Sequence, residues 1–123
     1  MNVALVFLLV EPSQILRLSL RDWLDQVFAG HRILVAANGV EALRLATQER
    51  PSYILVELEL PEKTGFDVLR QMRQILPDAK IVATGWYENR DVLEKVWAAG
   101  ADGFIRKHKL PSELLPLWDV SLE

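Results

Sequence analysis

Two apolar runs in this chain end in a carboxylate, and a third ends in a lysine. Val3 to Val10 stops at Glu11, Tyr53-Ile54-Leu55-Val56 stops at Glu57, and Gly103-Phe104-Ile105-Arg106 stops at Lys107. Runs of this kind read as buried strands. Two acids and a lysine at strand exits make a pocket suited to phosphoryl transfer, where catalysis is mostly positioning and charge stabilisation. Glu11 and Glu57 are only two carboxylates. Mg²⁺ asks for near-octahedral oxygen coordination, so they would hold it weakly, and no cofactor is required. The simpler alternative is a charge cluster in which the lysine keeps two acids apart.

The elements that must position these groups are legible as alternating strands and helices. Val3–Val10 reads as the first strand. Ser13–Ala29 carries Ile15, Leu16, Leu20, Trp23, Leu24 and Val27, the stripe of an amphipathic helix. Arg32–Ala36 is a second strand. Asn38 with Glu41 three residues on resembles a capping box, and its helix runs to Glu49 before Pro51. Tyr53–Glu57 is the third strand. Thr64 with Asp67 starts a third helix, which continues to Leu76. Lys80–Thr84, Asn89–Ala99 and Asp102–Arg106 read as strand, helix and strand, with Gly100 as the helix stop. Pro111–Trp118 is a last helix, short or bent because of Pro116. Trp97, at helical spacing from Leu93, is read as core. Trp86 and Tyr87 fall in a loop at the sheet top, where they can cap the pocket or meet a partner. His31 and His108 read as surface loop residues.

Five strands alternating with five helices imply an α/β, flavodoxin-like, doubly wound five-stranded parallel sheet of order 2-1-3-4-5. Its strands are continuous apolar runs, as burial on both faces requires. Ligand groups in such a sheet belong at the carboxyl ends of strands, where strand order reverses. Glu11, Glu57, Thr84, Gly85 and Lys107 fall there.

The 123 residues suit one domain over 1–123, and no attached output domain is expected after the last helix. Half of the residues are hydrophobic and a quarter charged, as in ordinary soluble domains. With no cysteine there is neither disulfide nor thiolate metal site. Net charge is -3 and both signs are interspersed. Arg106-Lys107-His108-Lys109 is the one basic cluster, read as a solvated strand exit, so no direct nucleic-acid contact is expected. Val3–Val10 lacks a basic flank and a cleavage site and is too short to span a bilayer, so no membrane contact is expected. No Ser/His/Asp constellation suggests hydrolysis, and the chain is not expected to be an enzyme.

Three segments carry a family resemblance. The first is Pro51-Ser-Tyr-Ile-Leu-Val-Glu57-Leu-Glu-Leu-Pro61-Glu-Lys-Thr-Gly65-Phe66; the others are Asn38-Gly39-Val40-Glu41-Ala42-Leu43 and Ala99-Gly100-Ala101-Asp102-Gly103-Phe104. Together they resemble the receiver domain of two-component response regulators, over essentially the whole chain. The resemblance implies a cytoplasmic phosphorelay module that takes a phosphoryl group from a histidine kinase onto an Asp ending the third strand. That Asp and an acid pair after the first strand would hold a divalent ion. A Thr or Ser after the fourth strand and a Lys after the fifth would grip phosphoryl oxygens.

The carry-over departs from this pattern at several positions. Glu57 stands where the phosphoacceptor Asp belongs. Glu11 fills the first acid position, but Pro12 stands in the second. Gly85, with Thr84 just before it, takes the Thr/Ser position, and Trp86 replaces a small residue. Lys107 is kept. His108 replaces the proline that follows it, so a trans bond and a shifted loop are expected. Phe104 holds the place of the family's aromatic switch residue.

The expectation is therefore a divergent, non-phosphorylatable pseudo-receiver that acts through protein–protein contacts with a histidine kinase or an output protein. The face of the fourth helix, fifth strand and fifth helix, the family's usual output surface, is also where a homodimer would form. Two alternatives stay open: a phosphoryl acceptor using Glu57 with Mg²⁺, and a small-ligand sensor with Trp86 and Tyr87 lining the altered pocket. Glu57 itself has three readings: acceptor with altered reach, imitation of a phosphorylated Asp, or partner of Lys107. The pairing with Lys107 is the expected one, since a lone buried charge is costly.

Overall fold

The computed structural model describes residues 3–122. The chain alternates β1 (Val6–Val10), α1 (Gln14–Val27), β2 (Arg32–Ala36), α2 (Gly39–Glu49), β3 (Tyr53–Glu57), α3 (Gly65–Ile75), β4 (Lys80–Gly85), α4 (Arg90–Ala98), β5 (Gly103–Arg106) and α5 (Leu110–Trp118). A 3₁₀ turn, Lys107–Lys109, joins β5 to α5. All strands are parallel, in the order β2-β1-β3-β4-β5.

Alternation along each strand sends side chains to two cores. Leu8, Val10, Ile54 and Val56 face α2, α3 and α4, where Val68, Leu69 and Met72 close the layer. Phe7, Leu9, Leu55 and Ile105 face α1 and α5, against Leu24, Leu114 and Trp118. The Phe7 ring packs between Phe28 and Tyr53, with centroids 4.5 and 5.2 Å away. Trp118 is fully buried, and its indole N–H donates to the Ile54 carbonyl at 3.1 Å, so its one polar atom is satisfied.

Helix starts follow the polar residues placed for them. The side chains of Ser13, Asn38, Thr64 and Asn89 accept from backbone N–H groups at the first turns of α1 to α4. Gly65 opens α3 against the end of β3. A Cβ there would clash with Leu58 and lie 2.7 Å from the Glu57 carbonyl, so only glycine allows this approach. Gly100, at φ +95°, ends α4 in the left-handed region. The last helix has no side-chain cap; it grows out of the 3₁₀ turn, spans nine residues and keeps Pro116 inside.

Several expectations are corrected. β1 begins at Val6, because pairing with β2 begins at Val6 opposite Arg32; Val3 is exposed. Trp97 is half exposed on α4, since the buried stripe there runs through Val96 and Ala99. His31 is half-buried, not a free loop residue: its Nδ1 accepts the Leu5 N–H at 2.8 Å. No helix among the described residues is long and apolar enough to cross a membrane.

Candidate functional site

The strand order reverses at β1 and β3, so their carboxyl ends open side by side. Glu11 follows β1 and Glu57 ends β3. Lys107 enters from the other side, on the first residue of the 3₁₀ turn after β5. That turn sends Lys107 inward while Arg106, His108 and Lys109 stay exposed. The basic cluster is therefore not a uniform solvated exit, as its composition suggests.

The Lys107 ammonium lies 2.6 Å from Glu11 Oε1 and 2.5 Å from Glu57 Oε1. All three side chains are buried, at 7%, 4% and 3% exposure. Each carboxylate gives its second oxygen to a backbone N–H two residues on. Ser13 N–H donates to Glu11 Oε2 at 2.9 Å, and Glu59 N–H donates to Glu57 Oε2 at 3.3 Å. The Trp86 ring centroid is 5.2 Å from Nζ, so the indole face covers the ammonium. Among the described residues no buried side-chain nitrogen or oxygen lacks a partner.

One cation thus serves two anions. Burial pushes the Glu57 carboxyl above its ordinary value; the Lys107 ammonium and the Glu59 N–H pull it back, and Glu11 adds to the upward push. For Lys107 burial acts downward, but hydrogen bonds and charge from Glu11 and Glu57 hold it above the usual lysine value. Both directions describe the same balance: a firmly charged lysine and a surplus of negative charge on the acids.

The remaining expected site residues divide. Gly85 is buried beside the cluster. A Cβ there would lie 3.8 Å from Glu57 Oε2 and 3.5 Å from the Phe104 ring. Phe104 is half-buried against the α4 side of the core. Thr84 does not join the pocket, which corrects its placement there. Its hydroxyl donates to the Ile105 carbonyl at 2.7 Å, tying β4 to β5. Tyr87 is 77% exposed and does not line the cavity beside the cluster, whereas Trp86 does. The Lys107–His108 bond is trans, as expected. The backbone donors of Ser13 and Glu59 were not foreseeable from residue type; only the loop conformation aims them. Among the described residues no group of three or more His, Cys, Asp or Glu is arranged as a metal site.

The chemotaxis protein CheY of Thermotoga maritima is 28% identical over 109 residues, covering 88% of this chain and 89% of that protein. The transcriptional activator protein ExaE of Pseudomonas putida is 29% identical over 108 residues, and this chain spans half of its length. In fold, the chain superposes on the chemotaxis protein CheY4 of Vibrio cholerae with a TM-score of 0.83 at 24% identity, over 94% of this chain and 99% of that one. A family model described as the response regulator receiver domain matches residues 7–117. This chain belongs to the receiver-domain family of the response regulators.

Proposed function

We propose that the chain is a phosphorelay signalling module that works by protein–protein contact and takes no phosphoryl group. The observation that supports this is the closed cluster: Lys107 bridges Glu11 and Glu57, and backbone N–H groups hold the second oxygen of each acid. A phosphoryl acceptor needs a carboxylate oxygen turned outward for attack, and here Glu57, in the acceptor position, is buried, with one oxygen on the Lys107 ammonium and the other on the Glu59 N–H, which fix it in place and draw on its electron density.

The donor set also fits Mg²⁺ poorly. The ion would have to displace Lys107 from both carboxylates or share them with it, and Pro12 brings no third carboxylate. Mg²⁺ binding is accordingly weak in this reading, and no cofactor is needed. A Glu57 carboxylate fixed on Lys107 is compatible with permanent imitation of a phosphorylated state. The partners are a histidine kinase or an output protein, met in the cytoplasm. The surface for them, or for a second copy, is the face of α4, β5 and α5, where Trp97 stands 52% exposed.

The reading is tested with beryllium fluoride and Mg²⁺, a phosphoryl mimic that bonds to a receptive carboxylate. Fluorine NMR of the native chain should show no protein-bound signal. A stoichiometric bound signal would make Glu57 a working acceptor and reverse the proposal.

A further inference from the structure

A cavity of about 280 Å³ lies between α1, the loop after β4 and the start of α5. Its walls are mostly apolar, with Leu16 and Leu20 from α1, Trp86 from the loop, and Leu110 and Pro111 from α5, while the exposed Ser19 and His108 complete the lining. Glu11 and Lys107 form its floor. Trp86 roofs it, yet 52% of that residue remains exposed. A large aromatic left half bare over a cavity gains by being covered.

The floor selects the kind of molecule. An ammonium has three N–H groups. Two carboxylates and the Trp86 face occupy the surroundings of Lys107, so little is left for an anion, and the cluster carries surplus negative charge. A second cation is not favoured either, because the Arg17 guanidinium beside Glu11 balances that surplus. Lys107 already sits on Glu11, and the Arg17 guanidinium donates to the Glu11 and Pro12 carbonyls at 2.9 and 3.2 Å. What the floor still offers is acceptor capacity, because each carboxylate oxygen carries two lone pairs and Glu11 uses one of them at each. The volume lies just under the usual range of ligand pockets, which runs from about 300 to 1,000 Å³. It suits a single ring and not a peptide.

We propose that this cavity binds a small uncharged amphiphile, with an apolar ring against Trp86 and α1 and a hydroxyl or amide N–H donated to Glu11. The proposal does not depend on whether Glu57 accepts a phosphoryl group, since it uses Glu11 and the side of the cluster under Trp86.

The test is NMR of the Trp86 indole N–H, identified by its loss in Trp86→Phe, during titration with benzyl alcohol, benzylamine and benzoate. Benzyl alcohol should shift that signal saturably and bind at least about tenfold tighter than either charged analogue. Ser19→Trp adds bulk at the exposed mouth on α1 and should weaken benzyl alcohol by about tenfold or more, with the rest of the spectrum retained. The proposal is overturned if either charged probe binds tightest, or if Ser19→Trp changes nothing. It is equally overturned if no probe gives a saturable shift, in which case the cavity is left to a side chain of a docking protein.

Discussion

Replacing Lys107 by Met keeps most of the volume and removes the one cation between two buried acids. Glu11 and Glu57 would then face each other at 4% and 3% exposure without a counter-charge. Removing one partner of a buried ion pair costs about 3–5 kcal/mol. The protonation route sets an independent scale. A carboxyl can escape by taking up a proton, which costs about 1.4 kcal/mol per pH unit above its unfolded value. With an ordinary glutamate at 4.5, neutralising one acid at pH 7 costs about 3.4 kcal/mol. One shared proton relieves most of the repulsion, so a loss of about 3–4 kcal/mol at pH 7 is expected. For a chain of 123 residues this is a fall in Tm of roughly 12–16 °C. At pH 5 the same uptake costs only about 0.7 kcal/mol, so most of the deficit should vanish. Urea unfolding of both proteins at pH 7 and pH 5 measures this. A deficit below about 1 kcal/mol at pH 7, or one as large at pH 5, would refute the reasoning, because either result means the acids are not held by Lys107.

Other consequences are more local. Because the folded Glu57 carboxyl titrates above its unfolded value of 4.5, the native state binds that proton more tightly. Stability from this group therefore falls as pH rises from 4.5 through the folded value; the native chain should lose stability relative to Glu57→Gln across that interval, and a relative gain in pH-dependent denaturation would contradict the assignment. Thr84→Val removes the donor to the Ile105 carbonyl and should cost about 1–2 kcal/mol in denaturant unfolding while leaving the titration of the acid cluster unchanged. Gly65→Ala forces a Cβ against Leu58 and the Glu57 carbonyl, so a loss of about 1–3 kcal/mol is expected by the same assay; a neutral result would mean α3 can retreat from β3 without cost.

The sheet was legible because burial on both faces leaves unbroken apolar runs, and two helix starts were legible because Asn38 and Thr64 are each followed three residues on by an acid; Ser13 and Asn89, read as first helical residues, are the caps of α1 and α4. Glu11, Glu57 and Lys107 were equally plain as charges that close strand runs at the end where such sheets carry ligand groups, and the structure brings them together. Other features needed the third dimension. The Thr84 hydroxyl could face the pocket or β5, and only the register with Ile105 decides it. Trp97 carried a readable signal that spacing to Leu93 obscured: Val92, Val96 and Ala99 define the inner stripe of α4, and Trp97 lies about 100° off Val96. His31 holds Leu5, a contact across 26 residues that no local pattern announces. Pro116 and Pro111 marked a constrained last helix, but not the 3₁₀ turn that aims Lys107 inward.

The central claim is that Glu57, held by Lys107, receives no phosphoryl group. Intact mass after incubation with acetyl phosphate and Mg²⁺, beside a Glu57→Asp variant, tests it most directly. The account predicts an unmodified native chain whatever the variant does; a variant that gains a phosphoryl group would single out Glu57 as the block, and an inert one would extend it to Pro12, Gly85 and His108. A native chain that itself gains one phosphoryl group contradicts the account and makes the protein a transfer partner.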